Sequence, residues 1–143
     1  MKLISHRGNL HGPDPRENEP SFILEALSKG FDVEIDLRLV SGCCYLGHDY
    51  PQYEIQLEFL KIQGLWIHCK NIEALELCRD LNIVNDYFWH QDDDVTLTSN
   101  NFLWTFPGKE LTRHSIAVMP EMVSFSNLKV AYGICSDFIE TYI

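Results

Sequence analysis

The chain has little positive charge: 11 lysines and arginines stand against 21 aspartates and glutamates, a net charge of −10 over 143 residues. Binding along a nucleic-acid backbone needs a basic surface that releases counterions, so the composition counts against that class of function. A small phosphorylated compound held by one or two cations in a pocket is not excluded. No apolar run approaches the roughly 20 residues that cross a bilayer, so no stable membrane insertion is expected. Met1 is followed by Lys2-Leu3-Ile4-Ser5-His6-Arg7, which turns polar at once and offers no apolar core of a secretory leader. The 5 cysteines, at 43, 44, 69, 78 and 135, are odd in number and lack paired spacing, which argues for free thiols in a reducing cytoplasm. No repeat, low-complexity tract or linker interrupts the sequence. A single domain over 1–143 is expected, long enough to bury about two-thirds of its unfolded surface.

What is present is organised around residues 32–49. Val33, Ile35, Leu37 and Leu39 alternate with Glu34, Asp36 and Arg38, the period of a strand with one apolar face. The other face carries two carboxylates about 7 Å apart. Two such groups repel unless a cation lies between them, and a divalent metal with hard oxygen ligands is one such cation. A plain ion pair of Glu34 or Asp36 with Arg38 is the simpler alternative. A turn at Ser41-Gly42 leads into a second apolar run that ends in Gly47-His48-Asp49.

Ahead of this stretch, Lys2-Leu3-Ile4-Ser5 reads as a strand delivering His6-Arg7-Gly8. A loop rich in Gly, Pro and Asp follows, and then a helical stripe of Phe22, Ile23, Ala26 and Leu27 between Pro20 and Gly30. Strand, loop, helix, strand is a βαβ unit with parallel strands. Residues 54–63 read as a helix with Ile55, Phe59 and Ile62 on one side. Leu65-Trp66-Ile67-His68-Cys69-Lys70 reads as a strand, and Asn71 can cap a helix running to about Leu81. Strands are predicted at 3–6, 33–39, 43–48, 65–69, 84–89, 101–106, 115–119 and 132–136. The gaps 90–100, 107–114 and 120–131 are too short or too polar for crossover helices. The expected fold is α/β, a reduced TIM-like β/α barrel lacking several crossover helices in its second half. Apolar outer strand faces left bare there are expected to drive self-association.

His6, Glu34, Asp36, His48, His68 and Lys70 all fall at the predicted C-terminal ends of parallel strands, where β/α barrels build their active sites. Together with Arg7 they form a set suited to cleaving a phosphodiester. A metal neutralises non-bridging oxygens, Arg7 and Lys70 clamp the phosphate, and two imidazoles move protons. Weaker candidates are His90 or Asp92 at the pocket rim and Trp104 as pocket wall or core. Cys43, Cys44 and Cys69 lack zinc-finger spacing and read as small core residues, and His11 and His114 sit in loops without a nameable partner.

His6-Arg7-Gly8, Glu17-Asn18, Ser21-Phe22, Glu34-Ile35-Asp36-Leu37 and His48-Asp49 together resemble the N-terminal signature of the glycerophosphodiester phosphodiesterase family. The related spider-venom phospholipases D share part of it. The match spans residues 3–49, and Gly133-Ile134-Cys135-Ser136-Asp137-Phe138 resembles the family's last barrel strand. The resemblance implies a metal-dependent hydrolase, or cyclic-phosphate-forming enzyme, acting on a small phosphodiester. It implies that His6 and His48 are the acid–base or nucleophilic pair and that Glu34 and Asp36 bind Mg, Ca or Mn. Arg7 would contact the phosphate, and Glu17 would support the metal site.

Three departures accompany the match. Where the family carries a carboxylate as third metal ligand followed by an apolar residue and a lysine, this chain has His68-Cys69-Lys70, which makes His68 the candidate third ligand and retains Lys70. Sixteen residues separate Asp49 from Trp66, leaving no room for the insert that helps hold glycerol. The chain is also well short of the 200 or so residues of a full β/α barrel. A barrel that binds phosphate or metal without turnover is the rival reading, and the retained histidine pair counts against it.

Overall fold

The computed structural model describes all of residues 1–143 and contains ten strands but only two α-helices. In chain order these are β1 (Lys2–His6), α1 (Pro20–Ser28), β2 (Asp32–Val40), β3 (Cys43–Leu46), β4 (Tyr53–Ile55), β5 (Leu65–Cys69), α2 (Ile72–Asp80), β6 (Asp86–Phe88), β7 (Val95–Leu97), β8 (Leu103–Thr105), β9 (Ser115–Val118) and β10 (Gly133–Ser136). The predicted alternation of β2 is what the fold uses. Val33, Ile35 and Leu37 point outward into a core shared with Ile23 and Ala26 of α1 and Ala74 and Cys78 of α2. Glu34 and Asp36 therefore point inward and are fully buried. Both helices begin as the sequence foretells, α1 with a proline in its first turn and α2 with the Asn71 side chain accepting from the backbone N–H of Ala74.

β1 pairs in parallel with β2 and with β10, and parallel pairing continues through β5 and β6 on one side and through β9 and β8 on the other. The sheet curls so that the segment around β6 approaches the segment around β7, without a strand ladder joining them. Ser99 N–H donates to the Tyr87 carbonyl at 3.0 Å, Tyr87 N–H donates to Ser99 Oγ at 3.0 Å, and Thr96 Oγ1 donates to the Trp89 carbonyl at 3.1 Å. Inside the curl, Ile4, Trp66, Phe88, Trp104, Ile116 and Cys135 make a second apolar cluster from six different strands. Its residues have the same inward parity as Glu34. The architecture is thus mixed α/β with a curled, partial-barrel sheet, and no helix is long and apolar enough to cross a membrane.

Three expectations are corrected. Residues 43–48 do not form a parallel strand: β3 is antiparallel to β2, with Val40 opposite Cys43. Ser41 and Gly42 both have positive φ, 51° and 79°, as a two-residue hairpin turn requires, whereas a parallel return needs a crossover of a dozen or so residues. Residues 54–63 are not a helix. Tyr53–Ile55 adds to β3 as an antiparallel strand, leaving only Leu57–Lys61 for a short 3-10 turn. The strand count also differs from the eight expected: 90–100 holds no crossover helix, as expected, but contains β7, which pairs antiparallel with β8.

Several outward positions of the second half are small or hydroxylated, beside Leu103 opposite Ser115 and Ile134 opposite Ala117. Thr105, Ser115, Ala117 and Ser136 are fully buried under the connecting segments. Ser115 Oγ accepts from Thr112 N–H at 2.9 Å, and Ser136 Oγ donates to Glu121 at 3.0 Å. Coverage of the second half is thus partial, and Val95, Leu97, Val130 and Tyr132 remain exposed.

Candidate functional site

Sheet register assembles the site. His6 of β1 lies opposite Glu34 of β2, and Asp36 lies opposite His68 of β5. Ligand atoms of Glu34, Asp36 and His68 all lie within 4.8 Å of one another. The His68 Nε2 is 2.9 Å from the carbonyl oxygen of His90, which only accepts, so Nε2 carries the proton. The other nitrogen, Nδ1, faces Asp36 Oδ1 at 3.5 Å and Glu34 Oε1 at 3.6 Å. Two species satisfy that arrangement: a second proton on the ring, or a cation held among the three groups. Glu34 Oε2 and Asp36 Oδ1 are buried without any hydrogen-bond partner. Orphaned carboxylate oxygens of this kind, plus an imidazole anchored through its far nitrogen by a carbonyl, fit a divalent ion.

Around this centre the first loop folds back over the sheet. Asn18 clamps Asp36 twice, donating to Oδ2 and accepting from the backbone N–H, each at 2.9 Å. Arg7 Nε sits 2.9 Å from Asp36 Oδ2 as an ion pair, not as an aligned hydrogen bond, and its guanidinium reaches Glu17 at 3.1 Å. Lys70 Nζ is 3.9 Å from Asp36 Oδ1. Burial would raise the Asp36 pKa, but Arg7, the facing His68 and the Asn18 bond outweigh it and hold the carboxyl below its usual range. Glu17 itself stays on Arg7 and Asn9, at 2.8 Å from the latter, and does not enter the carboxylate–imidazole group.

His6 is held from behind. Its Nδ1 lies 2.7 Å from Asp137 Oδ1, which also accepts from Asn9 at 2.8 Å, while Nε2 faces Glu34 Oε2 at 3.8 Å. Burial pushes the imidazole down, yet the Asp137 bond and the Glu34 charge prevail and it titrates above the ordinary histidine value. His48 repeats the pattern at the rim, with Nδ1 2.7 Å from Asp49 Oδ1, but both residues are exposed. It is presented by the β2–β3 hairpin. Arg38 donates to the carbonyls of Gly47 and His48, so it holds the hairpin end and does not pair with Glu34 or Asp36. Gly47 (φ 151°) allows the tight bend, since a Cβ there would lie 2.1 Å from the Tyr50 carbonyl.

His6, Arg7, Glu34, His48, His68 and Lys70 thus line one cleft of about 490 Å³ at the C-terminal ends of the parallel strands. His90 and Trp104 line it too, whereas Asp92 does not, and His11 and His114 lie elsewhere. The sequence reading missed the roles of Asp137, Asn9 and Asn18. Asp137 follows β10, whose register sets Ser136 opposite Ser5, so Asp137 comes level with His6 at the end of β1. The polar strand end Ser136-Asp137 carried that signal. No protein-family model, curated protein sequence or solved structure matches this chain.

Proposed function

We propose that this protein is a metal-dependent phosphodiester-cleaving enzyme built on a reduced TIM-like β/α barrel, resembling the glycerophosphodiester phosphodiesterases. The observation that carries the reading is the buried Glu34–Asp36–His68 group, with its orphaned oxygens, sharing one cleft with two carboxylate-backed histidines. Glu34, Asp36 and His68 would hold the ion, whose contribution when bound is to draw charge from a phosphoryl oxygen. His6 and His48 each have Nδ1 engaged by an aspartate, which fixes the ring and leaves Nε2 for proton transfer. One takes a proton from the attacking hydroxyl or water, and the other gives one to the leaving oxygen. Arg7 and Lys70 supply fixed positive charge beside the phosphate. The rival, a barrel that binds without turnover, has no use for two oriented imidazoles.

The test is a panel of generic phosphodiesters with Mg²⁺, Mn²⁺ or Ca²⁺. Turnover is expected with at least one pair, and His6→Ala and His48→Ala are each expected to lower it by about two orders of magnitude or more. Near wild-type turnover in either variant removes that histidine from the mechanism. Metal binding with silence across the panel favours the binding-only barrel.

A further inference from the structure

The cleft has two unlike walls. The charged groups all come from β1, β2, β5 and the β3 hairpin. The facing wall comes from the second half of the chain and is apolar: Trp104, Phe106, Val118, Met119, Met122 and Val123. Its inner part, Trp104, is buried against Phe88 and Trp66, with ring centroids 4.6 and 5.9 Å away. Its outer part is open, with Phe106 44%, Met122 68% and Val123 51% exposed.

The wall is a built feature. The β8–β9 and β9–β10 connections press together at Gly108, where φ is 79° and a Cβ would lie only 2.8 Å from Val123 Cγ1. Met122 N–H donates to the Met119 carbonyl at 3.0 Å, closing a turn that carries both methionines. His90 and Gln91 border the wall, and within it the indole N–H of Trp104 is the one side-chain hydrogen-bond donor, the rest being thioether sulfur and hydrocarbon. A polyol placed here would leave all but one of its hydroxyls unpaired against apolar surface, at a cost for each. An alkyl group would bury apolar area against the same atoms, and the flexible methionines adapt to its shape.

We infer that one organic substituent of the phosphodiester is an apolar chain, lying along the Trp104–Val123 wall while the phosphate faces Arg7 and Lys70. The inference rests on the phosphodiester reading of the site. It makes the connections after β8 and β9 the elements that determine specificity, in a chain that lacks the insert by which the resembled family holds glycerol.

The experiment is calorimetric binding of phosphate monoesters, as product-like probes, to the Mn²⁺-loaded protein. Propyl phosphate and glycerol 3-phosphate have the same carbon count and differ in hydroxyls. Propyl phosphate is expected to bind at least tenfold more tightly, and affinity is expected to rise roughly three- to fourfold per added methylene toward decyl phosphate. The double variant Phe106→Gln, Met122→Gln, at exposed positions, is expected to flatten that rise while methyl phosphate and Mn²⁺ bind as before. Equal or tighter binding of glycerol 3-phosphate overturns the inference and leaves the phosphate reading standing. If no phosphate ester of any length binds the Mn²⁺-loaded protein, the phosphate reading falls and this inference with it.

Discussion

At His68 one ring nitrogen is committed and the other is free. Nε2–H donates to the carbonyl of His90, so Nδ1 is the nitrogen that faces the two carboxylates and is left to meet an ion. An imidazole in place of a carboxylate removes one hard oxygen and one negative charge from an ion's shell. Hard Mg²⁺ and Ca²⁺ lose by that change, while Mn²⁺, Co²⁺ and Zn²⁺ accept the nitrogen. His68→Glu is therefore expected to tighten Mg²⁺ binding and weaken any Mn²⁺ preference in competition titrations; unchanged affinities for both ions would place His68 outside the shell. His6 poses a different problem, because its protonation is set by Asp137. In the metal-free protein Asp137→Asn is expected to lower the His6 titration midpoint, followed by the ring proton shifts in NMR, because burial then acts with less opposition. The linkage has a defined sign. The raised His6 pKa stabilises the fold fully below the unfolded value of 6.5, and that contribution is lost as pH rises through the folded value. The lowered Asp137 pKa stabilises the fold above 3.8 and is lost as pH falls through its folded value. Urea unfolding of the metal-free protein should thus show an alkaline decline in stability that Asp137→Asn reduces; an equal decline in both proteins would detach His6 from Asp137.

Among the elements, Asn71 ties the second helix to the central strand. Its Oδ1 accepts from Ala74 N–H at 3.1 Å as the cap of α2 and from Leu39 N–H at 3.2 Å, and its Nδ2 donates to the Leu39 carbonyl at 2.9 Å. Losing a cap costs about 1 kcal/mol, and two further hydrogen bonds add about 1 kcal/mol each. Asn71→Ala is expected to lower unfolding stability by roughly 2–3 kcal/mol in urea, and a loss below about 0.5 kcal/mol would mean that water replaces the side chain at Leu39. The cap was legible because a polar residue stood directly before a helical stripe. So was the inward placement of Glu34 and Asp36, since period-two alternation over a long strand has only one register that buries Val33, Ile35 and Leu37. Residues 54–63 misled because Ile55, Phe59 and Ile62 have helical spacing, yet the free edge of β3 recruits Tyr53–Ile55 first. β7 is three residues long, too short for any period to show. The Asp137–His6 pair joins the two ends of the chain, and only the pairing of β1 with β10 brings it, together with the wall built on β8 and β9, to one mouth.

Across the whole molecule, an acidic chain has gathered four carboxylates and two cations around one cleft. Glu17, Glu34, Asp36 and Asp137 cluster there with Arg7 and Lys70. With the imidazoles neutral, four negative charges against two positive leave a deficit of two, which a divalent ion cancels. A phosphodiester anion then enters a neutral site instead of a repelling one. Glu34 is the member least provided for, since it accepts no hydrogen bond and one of its oxygens is buried alone. It costs stability without an ion and is a ligand with one. Saturating Mn²⁺ or Mg²⁺ should therefore stabilise the protein, by about 2.7 kcal/mol at a hundredfold excess over Kd. That corresponds to a Tm rise of roughly 5–10 °C for a chain of this size, reversed by chelation. Glu34→Gln separates the two roles. Without metal the variant is expected to match or exceed the wild type in Tm, because a buried carboxylate without a hydrogen-bond partner has become a neutral amide. With metal it is expected to fall below the wild type, because the ion has lost a ligand. Scanning calorimetry of both proteins in chelator and in metal measures all four values. A metal-dependent rise of equal size in wild type and variant would place the ion away from Glu34.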